Sequence, residues 1–122
     1  MIRIQEVAFT CYPVTDIARA RGFYEGVLAL QPGTISDTPN GYWVEYEIGA
    51  HTLSIGSSPG FPPSAEGCVA ALEVEDFDAS IEHLRAAQVK FRMEPFPTPI
   101  CRMAFIEDPD GNGIIIHKRH AH

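Results

Sequence analysis

Residues 14–28 read VTDIARARGFYEGVL and residues 74–88 read VEDFDASIEHLRAAQ, and an offset of 60 lays Val14 on Val74 and Asp16 on Asp76. The chain therefore reads as a duplication. In the first segment Ile17, Ala20, Tyr24, Val27 and Leu28 fall on one face of a 3.6-residue period, and Phe77, Ile81 and Leu84 do the same in the second. Asp16 and Asp76 precede these amphipathic helices and are the expected N-caps, because a carboxylate there accepts from the unpaired N–H groups of the first turn. Phe23 and Tyr24 are expected as core aromatics.

Working outward, an apolar strand precedes each helix (7–12 and 69–74) and three short strands broken by turn residues follow it. They are GTIS, YWVEYEIG and HTLSIGSS in the first half, and VKFRMEP, CRMAFIED and GIIIHKR in the second. Each half reads βαβββ. Residues 58–66, rich in Ser, Pro and Gly, form the expected linker between module 1 (about 1–57) and module 2 (about 67–122). The expected class is α+β, with both modules pairing their sheets into one domain, 1–122, and the helices outside.

With 122 residues, 45% of them hydrophobic, the chain can bury a core without disulfides or a structural metal. A net charge of −7 argues against nucleic-acid and anionic-membrane partners, which need a basic surface. Lys118, Arg119 and His120 are expected as a solvated tail. Three cysteines, Cys11, Cys68 and Cys101, without CxxC spacing suggest free thiols and a cytoplasmic protein with no targeting segment. No apolar run approaches the ~20 residues of a membrane span. A homodimer is expected where a two-fold partner covers sheet edges and apolar patches.

The pattern of Asp16, Phe23, Tyr24, Glu25 and Leu28 in the first helix, together with the DPDGN turn at 108–112, resembles the vicinal oxygen chelate superfamily of glyoxalases, extradiol dioxygenases and bleomycin-resistance proteins. The turn has its own physical logic, since Pro109 fixes φ, Gly111 allows positive φ, and Asp and Asn side chains bond nearby backbone. The resemblance implies metal ligands on the first and last strands of each module, facing a shared concave sheet. Carried onto this chain, those positions are Phe9, Ser54, Val69 and Ile115, and a shifted first strand would substitute Glu6 for Phe9. Three hydrocarbons and a hydroxyl make no site for a first-row metal. The expectation is therefore no metal and no cofactor.

Strand alternation then places Cys11 and His117 on the face shared by those four positions, with Leu53, Ile55, Ile114 and Ile116 turned toward the helices. Val44, Tyr46 and Ile48 are expected under the first helix, which leaves Trp43 and Glu45 for a cationic or aromatic ligand. Arg102 is a weaker candidate at the opposite end of the cavity. His117, Glu45 and Cys11 are the candidate catalytic groups: an imidazole that titrates near neutrality, a carboxylate, and a thiol that a neighbouring imidazole would activate. His51, His83, His120 and His122 carry no metal-site spacing. The expected function is glyoxalase-like small-molecule binding, sequestering an amphipathic or cationic ligand. The alternative is a lyase or isomerase using His117 or Glu45 as acid and base.

Overall fold

The structure is a computed structural model that describes residues 3 and 5–120. The chain forms two compact units, Met1–Pro63 and Ser64–His122, with the boundary inside the expected linker. The first contains β1 (Thr10–Pro13), α1 (Ile17–Arg21), a π-helical turn (Gly22–Val27), β2 (Pro32–Thr38), β3 (Gly41–Ile48) and β4 (His51–Ser57). The second contains β5 (Ala70–Glu73), α2 (Phe77–Ala86), β6 (Phe91–Pro97), β7 (Cys101–Glu107) and β8 (Gly113–Arg119). Each unit is a βαβββ module with one four-stranded mixed sheet, in the orders β1-β4-β3-β2 and β5-β8-β7-β6. The first strand of each pairs parallel with the last, and the other pairings are antiparallel.

The duplicated helix starts behave as their sequences require. Asp16 accepts from Arg19 N at 3.0 Å and Asp76 from Ala79 N at 3.0 Å. After Arg21 the first helix widens into i→i−5 bonding, with Leu28 N donating to Phe23 O at 3.0 Å. Two consecutive aromatics, Phe23 and Tyr24, are buried in this wider turn. Tyr24 stacks on Tyr46 at 6.0 Å and meets Phe23 edge-on at 5.1 Å. The fully buried Tyr46 donates its hydroxyl to Glu25 Oε2 at 2.9 Å, and Arg21 grips both oxygens of that carboxylate at 2.6 and 3.2 Å. Arg21 holds the Glu25 carboxyl below its ordinary range, while burial and then Glu25 push the Tyr46 phenol up.

In the second unit Phe77, Ile81 and Leu84 are buried, as are Ala104, Ile106, Ile114 and Ile116 on the strands. The turn before β8 closes around Asp108. Its Oδ1 accepts from Asp110 N and Asn112 N, both at 2.9 Å, and its Oδ2 accepts from Asn112 Nδ2 at 2.8 Å. Gly111 sits at φ +86°, the left-handed region that favours glycine.

Two expectations need correction. The leading strands begin late, at Thr10 and Ala70, because among the described residues their ladders start opposite Leu53 and Ile114. Lys118 and Arg119 are not a tail: they continue β8 and pair with Arg102 and Cys101 across β7. His51 opens β4 where the sequence pattern starts its strand, with Nε2 3.0 Å from Thr10 Oγ1. His122 lies outside the described residues.

Candidate functional site

On the sheet face of the first unit away from its helix, the ladder sets Cys11, Ser54 and Glu45 in one row and Trp43 opposite Gly56 in the next. The missing side chain at Gly56 makes room for the indole. A Cβ there would lie 3.1 and 3.3 Å from Trp43 ring carbons and 3.6 Å from Cys11 Sγ. Phe9 meets the indole edge-on, with centroids 5.2 Å apart and planes at 84°. Trp43 Nε1 donates to Glu45 Oε2 at 2.9 Å, which fixes the ring from its polar end. Trp43 and Glu45 thus stabilise each other, as residues two apart on one strand face can.

Trp43 also walls a pocket of about 210 Å³ at the β2–β3 turn end of this unit. Ser36, Thr38, Ser57 and Ser58 also line it, Thr38 with its hydroxyl bonded to Gly41 O and Asn40 N, and Tyr42 and, from the linker, Phe61 add two further aromatics. Of these only Trp43 was expected. Ser36 was legible as the residue opposite Trp43 once β2 and β3 were paired, but Phe61 sits in a segment without periodicity. Ser54, expected to line the site, is fully buried with Oγ 3.4 Å from Thr10 O, so it presents no surface to a ligand. Burial pushes the Cys11 thiol up, with a smaller opposing effect of Ser54, which is the reverse of an activated thiolate.

In the second unit Ile115 and His117 pair with Phe105 and Met103, and all four are half-buried. His117 Nδ1 lies 2.6 Å from Glu73 Oε1, and Glu73 Oε2 accepts the Arg119 N–H at 2.8 Å. Those two contacts hold the Glu73 carboxyl below its ordinary range, the backbone bond first. Glu73 was missed by sequence reasoning, although its parallel register with His117 follows from the repeat. Val69 lies just before β5 and is 37% exposed. Arg102 departs from its expected place: it alternates to the face opposite His117, donates to Asp78 Oδ1 at 2.7 Å and lies 4.5 Å over the Phe77 ring. Helix α2 occupies it.

Phe9, Ser54, Val69 and Ile115, where the resemblance placed metal donors, offer no imidazole, carboxylate or thiolate and do not fit a divalent cation. Among the described residues no three of His, Cys, Asp and Glu gather into a cluster able to hold one. No helix among them is long and apolar enough to cross a membrane. The three cysteines are free thiols, with Cys68 exposed and Cys101 buried.

Tandem βαβββ units with a sheet face poor in metal donors define a class of small domains that share one scaffold across different chemistries. A sequence profile of the Glyoxalase/Bleomycin resistance protein/Dioxygenase superfamily matches residues 3–116, and the chain belongs to that superfamily. Among solved structures it is similar to TnmS3, an antibiotic binding protein from Streptomyces sp. CB03234, at 26% identity and a TM-score of 0.81, covering 98% of this chain and 100% of that one. It is also similar to a glyoxalase/bleomycin resistance protein from the same organism, at 27% identity and a TM-score of 0.73, covering 91% and 98%. The fosfomycin resistance protein FosX from Mesorhizobium loti shares the fold at 20% identity and a TM-score of 0.73, covering 94% and 92%. No curated protein matches the sequence.

Proposed function

We propose that this chain is a small-molecule-binding protein that holds an amphipathic or cationic aromatic ligand without a metal. The observation that carries the reading is the Trp43 indole, seated over Gly56, braced by Phe9 and Glu45, and forming one wall of a mainly apolar pocket that Tyr42, Phe61 and a few Ser and Thr side chains also line. A fixed aromatic face stacks planar ligands at low entropic cost, and the hydroxyls orient their polar rim. Glu45, with one oxygen bonded to the indole, keeps negative charge beside the ring and favours a cation. The likeness to an antibiotic binding protein at 26% identity supports sequestration over turnover. In this proposal the protein is a cytoplasmic homodimer, and Phe9 and Cys11, on the same unit as Trp43, contribute to the ligand's surroundings.

The second reading, a lyase or isomerase, is favoured by one contact, that between His117 and Glu73. Titration with a panel of planar aromatic compounds, cationic, neutral and anionic, tests the main reading. Fluorescence of Trp43, the chain's single tryptophan, should be quenched saturably, cations most strongly, and calorimetry should show the affinity lost in Trp43→Leu. A panel without saturable quenching, or one whose binding survives Trp43→Leu unchanged, contradicts it.

A further inference from the structure

The two units are built on one ladder, yet they differ at its fourth step. In the second unit Glu73 pairs with His117, and in the first the corresponding pair is Pro13 with Gly56. Pro13 and Gly56 bring no ionisable side chain, and the strands pair all the same. The scaffold does not require an acid and an imidazole at this step.

The pair is also built as more than a surface ion pair. Both Glu73 oxygens are fixed, one by the Arg119 N–H at 2.8 Å and the other by His117 Nδ1 at 2.6 Å. A carboxylate only accepts, so the shared proton belongs to Nδ1 in the neutral ring, and the lone pair is left on Nε2. The imidazole keeps 21% of its side-chain surface exposed, beside half-buried Met103 and Ile115, where lower polarity strengthens a hydrogen bond.

We propose that Glu73 and His117 form a proton-accepting dyad at which Nε2 of His117 takes the proton of an acidic hydroxyl, a phenol or an enol, on a bound small molecule. The ligand's O–H bond breaks, an Nε2–H bond forms, and the electron pair stays on the ligand oxygen. The resulting imidazolium lies between that oxyanion and the Glu73 carboxylate, and the proton returns when the ligand leaves. No oxidant or metal enters the step. His117 is the binding group and Glu73 a positioning residue that selects its tautomer and supports its charge. The proposal rests on the small-molecule reading above and adds a hydroxyl acid as its ligand class.

The test uses 4-nitrophenol as probe, 4-nitroanisole as a control that has no proton to give, and ¹⁵N NMR of the histidine side chains. In the free protein, at a pH high enough for the imidazole to be neutral, His117 should carry its proton on Nδ1 and leave Nε2 unprotonated. At a pH near the free probe's own pKa, binding should raise the phenolate absorption of 4-nitrophenol above that of the free probe and move both His117 nitrogens toward imidazolium positions, and 4-nitroanisole should do neither. Glu73→Gln should mix the tautomers, abolish the rise in phenolate absorption and weaken probe binding roughly 10- to 100-fold, the span of a hydrogen bond to a charged group. Trp43 quenching by the aromatic panel should be retained. If His117→Gln does not fold, the wild-type tautomer and the Glu73→Gln spectra still decide. An Nε2–H tautomer in the wild type, or a rise in phenolate absorption that persists in Glu73→Gln, overturns the dyad. Trp43 quenching without any His117 response sinks the dyad alone, and absence of both sinks the dyad and the binding reading together.

Discussion

Gly56→Ala isolates the seating of Trp43 without touching the ring itself. The new Cβ would stand 3.1 and 3.3 Å from two indole carbons, whereas carbon atoms rest at about 3.5–4.0 Å, so the ring must retreat by roughly 0.3–0.5 Å. That movement strains the 2.9 Å bond from Nε1 to Glu45 and shifts the edge-on contact with Phe9. Overpacking costs about 1–3 kcal/mol, and the lower end applies because the obstructing group is a movable side chain and not backbone. We expect about 1 kcal/mol in urea unfolding with an unchanged slope, and a melting temperature roughly 3–5 °C lower. Since Trp43 is the sole tryptophan, its emission should move to longer wavelength and the quenching isotherm should weaken. Gly26→Ala, where an added Cβ meets nothing within 4 Å, serves as the control without steric clash and should leave stability unchanged or slightly raised. A Gly56→Ala protein with wild-type emission, stability and quenching would refute the seating of the indole on Gly56.

Tyr46→Phe should cost about 1–2 kcal/mol in urea unfolding, because it deletes a hydroxyl bond to a charged carboxylate; a cost near zero would mean that the bond is not formed in solution. Glu25 has a depressed folded-state pKa, so its contribution is fully present above the ordinary glutamate value of 4.5 and fades as pH falls through the folded value. The stability gap between wild type and Glu25→Gln should accordingly be flat near neutrality and close in acid, and a gap that widens on acidification would contradict that sign. Asp108→Ala strips three N–H groups of their acceptor in a buried turn and should cost about 3 kcal/mol by thermal or urea unfolding; a loss under 1 kcal/mol would deny the turn its structural role. Iodoacetamide should label exposed Cys68 well before Cys11, whose thiol burial disfavours as thiolate, and faster labelling of Cys11 by mass spectrometry would revive it as a nucleophile.

The repeat made the fold legible because one offset fixed two helices, two caps and the strand sets around them. Asp16, Asp76, Tyr24, Tyr46, Ile114 and Ile116 all do what periodicity demanded of them. The site was legible only as far as alternation reaches. Trp43 and Glu45 followed from period 2 on β3, but alternation cannot say that they bond to each other. Arg102 was ambiguous because its strand is apolar on both faces, and α2 resolves it with Asp78 and Phe77. Ser54 shared the expected face yet is covered there, since facing a direction is not exposure. Glu73 escaped notice because its partner lies 44 positions away and only the parallel register joins them. The π-helical turn has no period that a 3.6-residue template detects.

The central claim, metal-independent binding beside Trp43, is tested most directly by one fluorescence titration run twice, with the strongest quencher of the aromatic panel. One run uses protein stripped with a chelator, and the other uses the same protein supplied in turn with Zn²⁺, Ni²⁺, Mn²⁺ and Fe²⁺. The account predicts superimposable saturable isotherms, because the four positions where the superfamily resemblance placed donors hold Phe9, Ser54, Val69 and Ile115. Binding that appears only with a metal, and disappears again in His117→Ala, Glu45→Ala or Cys11→Ala, would contradict it.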